Sequence, residues 1–177
     1  MRHFIFWNSW RAIRKRPKIK TGLTVFDLVV EIAGLIALLA MWIVLMVTYS
    51  GLPDVIPINF NHLGQVRSLG TKSSIFNLPV VATVVFAGMT ILGRFPHVFN
   101  YPVKITDNNA FLQYRNMVRM VRCLKLAIVL ILGYVVLYTV LYVDGIGGVW
   151  FMPLTLVIAL IPVILVIYFL VKSFIYR

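Results

Sequence analysis

Asp27 and Glu31 stand four residues apart inside an otherwise apolar run, VFDLVVEIAGLIALLA. At helical spacing they share one face, about 40° apart, and Gly34 continues that face at +7 from Asp27. Two carboxylates at a membrane edge are costly unless paired, protonated or wetted, and an ionisable residue in a span points to a functional site by default. Two readings follow. In one, both acids lie at headgroup level near the positive start of their helix and bind Arg or Lys from the middle loop of the chain. In the other they form a proton or cation site.

A second group of polar residues lies in the segment LPDVIPINFNHLGQVRSLGTK, residues 52–72. Its candidate ligand-binding residues are Asp54, Asn59, His62, Arg67 and Lys72, with Asn61 and Gln65 beside them. Asp54 and His62 are two metal ligands without a third, so no metal site is expected. An ion pair from Asp54 to Lys72 or Arg67 would brace the segment. Pro53, Pro57, Gly64 and Gly70 have the wrong spacing for a regular helix and argue for a loop with defined turns.

The third group is basic. Arg115, Arg119 and Arg122 fall within about 60° on a helical wheel, opposite Met117, Val121 and Leu124, which describes a basic amphipathic helix. Thr106 is a candidate cap for it and Asp107 suits its first turn. Such a helix could lie on an anionic leaflet, dock under the bundle and supply cations to Asp27 and Glu31, or offer a landing surface to a soluble partner. The single cysteine, Cys123, excludes an internal disulfide framework and reads as a packed thiol or an acylation site. His3 and His97 read as interfacial. The sequence carries no phosphate-binding loop, dinucleotide fingerprint, HExxH motif or nucleophile elbow, so no catalytic residue and no cofactor is expected.

These groups need elements to hold them. Hydrophobic residues make up 61% of the 177 positions, and the mean hydropathy is +0.94. A soluble chain of this size could not hide so much apolar surface. Four apolar runs, at about 25–49, 75–93, 122–143 and 149–171, are each near the ~20 residues that cross a hydrocarbon core about 30 Å thick. The expected fold is all-α: one integral-membrane four-helix bundle over 1–177, with a structured outer loop at 50–74 and a basic amphipathic helix in an inner loop at 94–121. The first run is too long for a signal-peptide core, and three more spans follow it.

Net charge +12 speaks to orientation before nucleic acid. Arg2, Arg11, Arg14, Lys15, Arg16, Lys18 and Lys20 precede the first run, and Arg94, Lys104, Arg115, Arg119, Arg122 and Lys125 separate the second from the third. Lys172 and Arg177 close the chain; only Arg67 and Lys72 lie on the other side. The positive-inside rule then places both termini and the middle loop in the cytoplasm. Phe4, Phe6, Trp7 and Trp10 interleave with the RAIRKRPK cluster as an interfacial segment or a plain topology signal. Trp42 is too deep for an aromatic belt and is expected to pack between helices. VDGIGG reads as a tight turn, and Pro153 and Pro162 suggest a kink in the last span.

The stretch LPDVIPINFNHLGQVRSLGTKSSIFNLPV resembles the signature of a bacterial membrane domain family of unassigned molecular function, roughly LP-x-x-IP-x-HF-x-x-x-G-x-x-D-x-W/Y-G-S-K before a transmembrane helix. That domain also forms the N-terminal part of the immunity protein against the Sdp killing peptide. The later run FPHVFNYPVKITDNNAFLQYRNMVRMVRCLK is similar to a segment of small stand-alone members, through NYPV, IT-x-x-N-A and QY. Asn59 stands where the pattern has His and Arg67 where it has Asp, so metal or proton chemistry through that pair is not carried over. The retained Pro53, Pro57, Phe60, Gly64, Gly70 and Lys72 are mostly residues that shape a loop. The resemblance implies a bacterial cytoplasmic membrane protein with an immunity or signalling role.

The expected function is therefore a non-enzymatic binding or signalling protein whose outer loop recognises an extracytoplasmic ligand such as a peptide. Expected partners are a bilayer with anionic headgroups, an extracytoplasmic peptide, a cytoplasmic protein and further copies of the chain, without nucleic acid. The alternatives are a small transporter or ion-coupled subunit using Asp27 and Glu31, and a membrane enzyme with the outer loop as its active site.

Overall fold

The computed structural model describes residues 16–61, 65–146 and 151–176, with only the backbone described at 151–153 and 156. Within them four helices are long and apolar enough to cross a bilayer, which makes this a mostly helical, multi-pass membrane protein. They are α1 (Val25–Thr48), α2 (Asn77–Leu92), α3 (Ala110–Val143) and α4 (Phe151–Ile175). The 24 residues of α1 span about 36 Å at 1.5 Å per residue, enough to cross the hydrocarbon with some tilt.

The helices alternate in direction. Asp27 and Glu31 near the start of α1 meet Arg119 and Lys125 in the first half of α3, whereas Glu31 meets Thr90 at the end of α2. Thus α1 and α3 run the same way and α2 runs against them. Gln113 and Asn116 of α3 meet Ser173 and Phe169 at the end of α4, so α4 is antiparallel to α3. Helix α3 touches each of the other three, and α4 packs chiefly on α3. Lipid-facing positions are apolar, as Val25, Val29, Ile36, Ile43 and Val47 of α1 illustrate. Apolar surface facing lipid gives no drive for helix association, so close packing and polar contacts must supply it. Gly34 is one such close contact, where a Cβ would meet the Phe86 ring at 3.0 Å.

Between α1 and α2 the structure differs from the expected loop. Residues 55–71 form an antiparallel hairpin, β1 (Val55–Phe60) with β2 (Val66–Thr71). Val55 pairs with Thr71, Ile56 with Gly70 and Pro57 with Leu69; past an irregularity at Ile58, Asn59 pairs with Ser68. Pro57 and Gly70 hide the strand pattern, because each is disfavoured in a strand interior and reads as a turn residue. At Gly70 the fit is close: a Cβ there would lie 2.9 Å from the Ile58 side chain, which would have to shift to admit it. Ile56 and Ile75 anchor the hairpin in an apolar core with Leu38, Met41, Leu45, Val136 and Val140.

The basic stretch is helical, as its periodicity suggests, and forms the opening of α3 itself, which runs unbroken from Ala110 to Val143. No proline interrupts residues 110–143, so nothing separates the basic turns from the span. Asn109, not Thr106, precedes its first residue. The Asn109 side chain accepts from Thr106 N at 2.9 Å and donates to Lys104 O at 3.0 Å, closing the turn before the helix. Trp42 packs between helices as expected, donating from Nε1 to Thr83 Oγ1 at 3.1 Å. Gly145 takes the positive φ expected after α3, +78°. Pro162 lies inside α4. Trp7, Trp10 and the aromatic and basic residues around them, with His62, Gly64 and Trp150, lie outside the described residues.

Candidate functional site

Helix α1 opens with Thr24-Val-Phe-Asp27, a capping box: Asp27 N donates to Thr24 Oγ1, and Asp27 Oδ2 accepts from Thr24 N at 3.0 Å and Thr24 Oγ1 at 2.7 Å. One oxygen of Asp27 thereby satisfies an orphan amide at the helix start. The other, Oδ1, accepts Arg119 Nε at 3.1 Å and Arg122 Nη1 at 3.2 Å. Arg119 also reaches Thr24 Oγ1 from Nη2 at 2.9 Å.

One turn along, Glu31 repeats the arrangement. Its Oε2 faces Arg122 Nε at 3.7 Å, and its Oε1 accepts from the Lys125 ammonium and, more distantly, from Thr90 Oγ1. Lys125 is almost fully buried. It donates to Thr90 Oγ1 at 2.7 Å and lies 4.1 Å from the centre of the Phe86 ring. Two acids at i and i+4 on α1 thus mesh with three cations at i, i+3 and i+6 on α3. The ladders match because the two helices are parallel.

The chemistry of this cluster follows from its occupancy. Three of the four carboxylate oxygens of Asp27 and Glu31 accept hydrogen bonds, and the fourth, Glu31 Oε2, faces the Arg122 guanidinium at 3.7 Å, so both acids already have cations of the chain beside them. Charges of both signs buried together are satisfied, whereas either sign alone would carry a desolvation cost of several kcal/mol. Of the three arginines that the sequence groups on one face, Arg119 and Arg122 turn to α1, while Arg115 stacks on Phe111 at 5.2 Å. Lys125, the most buried of the cations, was not among the candidate site residues. Cys123 is a free, half-buried thiol on the same helix.

Beyond the cluster α3 and α4 are joined by side-chain amides. Gln113 Nε2 donates to Ser173 O at 2.8 Å, Ser173 Oγ donates back to Gln113 Oε1 at 2.6 Å, and Asn116 Nδ2 donates to Phe169 O at 2.8 Å. Nearby, Arg16 clips the start of the described chain onto the 93–105 segment, donating to His97 O at 3.1 Å and Phe99 O at 2.6 Å. Tyr101 donates to Pro96 O at 2.7 Å. Burial and the neighbouring Tyr114 push its phenol well above the usual range despite Arg16, so it acts as a neutral donor.

At the other end of the bundle the hairpin residues are spread out. Asp54 pairs with Lys72 at 3.2 Å as expected, but at an exposed site, where such a pair contributes about 0–1 kcal/mol. Lys72 also lies over the Tyr49 ring at 5.6 Å. Asn59 Nδ2 donates across the strands to Ser68 Oγ at 2.8 Å. Asn61 and Gln65 close the tip, with Asn61 Nδ2 donating to Gln65 Oε1 at 2.9 Å. Arg67 is exposed. Phe60 fastens the hairpin to α3, with its ring 4.9 Å from Tyr138 and 5.4 Å from Tyr142. Beneath lies a cleft of about 400 Å³ whose walls include Ile58, Asn59, Ser74, Asn77, Val135 and Thr139. The structure therefore does not gather Asp54, Asn59, Arg67 and Lys72 into one site; it puts Asn59 at the cleft with polar neighbours from α2 and α3.

Residues 36–83 match the model of a domain of unknown function (DUF1648). That stretch holds the far half of α1, the hairpin and the first part of α2. Asp27, Glu31 and all of α3 and α4 lie outside it, as does the NYPV stretch. No curated protein and no solved structure matches the chain.

Proposed function

We propose that this is a non-enzymatic protein of a bacterial cytoplasmic membrane, with its basic end and termini in the cytoplasm and its hairpin outside, where the hairpin and the cleft beneath it bind a ligand such as a peptide in an immunity or signalling role. The carrying observation is the cleft: a fixed hairpin over a mixed polar and apolar hollow of about 400 Å³. Pockets that hold ligands combine apolar walls with a few placed polar groups in this way. A sheet of two strands also has unpaired edges, to which an extended peptide can add by main-chain hydrogen bonds. The pairing of Asp27 and Glu31 with Arg119, Arg122 and Lys125 supports a binding role over an ion-coupled transporter.

The test is a cell with the gene deleted, then restored with the native chain or with Asn59→Leu/Asn77→Leu, challenged with a panel of membrane-active peptides. Deletion should raise sensitivity to at least one peptide, and the double variant should fail to restore protection at equal membrane abundance. Unchanged sensitivity across the panel, with no peptide captured by a photo-crosslinker at position 59, would remove the proposal. A cysteine at position 65 should label from outside intact cells and one at 108 should not; the reverse pattern would invert the orientation.

A further inference from the structure

A second cleft, at the basic end, has different chemistry. It measures about 400 Å³ and lies between the chain entering α1 (Lys18, Lys20, Thr21) and the turn leaving α2 (Arg94, His97), with Arg122 of α3 contributing to its lining. Among the described residues no carboxylate lines it. Arg122 already faces Asp27 and Glu31. Lys18, Lys20 and Arg94 make no ion pair among the described residues, and all three are exposed. Three unneutralised cations around one hollow create a field that only an anion relieves.

The walls of this cleft are built. Arg16 ties the 16–24 segment to the carbonyls of His97 and Phe99, and Tyr101 holds Pro96 from below. The cations are thus carried on two strands of backbone cross-linked to each other, which fixes the spacing of the two sides. The surroundings indicate the source of the anion. Leu23 and Val25 on one side, and Ile91, Leu92 and Phe95 on the other, are exposed apolar side chains adjoining the cleft residues in sequence. They stand where α1 begins and α2 ends, the level at which a bilayer passes from headgroups to acyl chains. A soluble phosphate would use the cations alone; a phospholipid would use both surfaces.

We propose that this cleft is a phosphate site filled by the headgroup of an anionic phospholipid from the adjoining leaflet, with Lys18, Lys20 and Arg94 binding the phosphate and the flanking apolar side chains contacting its acyl chains. Basic pockets between spans are suited to such headgroups. The site rests on the four-span reading alone and is independent of what the hairpin binds.

The experiment uses the full chain in a neutral detergent at low salt. Bound lipid is counted by native mass spectrometry during titration with phosphatidylglycerol, with phosphatidylcholine, or with phosphatidylglycerol plus excess inorganic phosphate. Phosphatidylglycerol should bind in preference to phosphatidylcholine. Lys18→Gln/Lys20→Gln/Arg94→Gln should weaken it on the order of tenfold or more. The charge-matched variant Arg67→Gln/Lys104→Gln/Arg115→Gln, at exposed or half-exposed positions elsewhere, should bind as the native chain does. Equal losses in the two variants would mean a diffuse basic surface and overturn the site. Full displacement of the lipid by inorganic phosphate would identify a soluble anion site and overturn the lipid assignment. Hairpin-dependent peptide protection is unaffected by either outcome, so the two proposals fail separately.

Discussion

At the scale of single residues, the contact that sets this protein apart is Lys125 against Glu31. A buried ion pair contributes little net stability compared with apolar residues of the same volume, yet removing one member leaves the other uncompensated. Glu31→Leu should therefore destabilise the chain by about 3–5 kcal/mol, because Lys125 would keep only Thr90 and the Phe86 ring. Glu31→Leu/Lys125→Met should recover most of that loss, so the two sites should be strongly non-additive in reversible unfolding monitored in mixed micelles. Additive losses would mean that the pair is not coupled. The acids were legible in the sequence from their i, i+4 spacing, and their pairing with middle-loop cations was one of the two readings. Lys125 was not, although it continues the i, i+3 stripe of Arg119 and Arg122. Its significance comes from Thr90 and Phe86 on α2, 35 and 39 positions earlier, and no local pattern reports such a contact.

At the scale of elements, the hairpin and α3 show how local signals mislead. In β1 and β2, Pro57 and Gly70 announce turns, yet tertiary contacts at Ile56 and Phe60 impose strands on the same residues. Gly70 reads as a flexible joint and is in fact a place of close fit against Ile58. Gly70→Val should push Ile58 aside and cost about 1–3 kcal/mol, the range for overpacking. The loss should appear as faster amide exchange over 55–71, with exchange in α1 and α3 unchanged; equal protection in the variant would show that the strands can spread. For α3 the periodicity was correct, and the basic face and the apolar run share one continuous helix. A basic amphipathic face followed by an apolar run reads as two elements, because charge composition changes at about residue 122. The backbone does not break there, since the charges turn inward to α1 and need no change of direction.

At the scale of the whole molecule, the chain is layered along its axis. The hairpin and its apolar core occupy one end, and the charged cluster lies towards the other. Beyond the cluster come Tyr101, Ala110, Tyr114 and Met117, a smaller core with Ile19 and Phe99 against it. The four spans were legible because apolar length is a direct consequence of bilayer thickness. The layering was not, because it depends on which spans are parallel. The parallel placement of α1 and α3 also has a consequence in time. A chain is made from its N-terminus, so Asp27 and Glu31 reach the membrane before Arg119, Arg122 and Lys125 exist. During that interval the first span carries two acids without their cations, and it must be held near the water boundary or by an insertion factor until the third span arrives. A chain stopped after residue 109 should consequently be degraded quickly in pulse-chase labelling, and Asp27→Leu/Glu31→Leu should lengthen its lifetime. Equal lifetimes would mean that the first span is retained without its counter-charges. The same ion pairs that fasten the finished protein thereby make its assembly a checkpoint, passed only by chains long enough to supply both signs of charge.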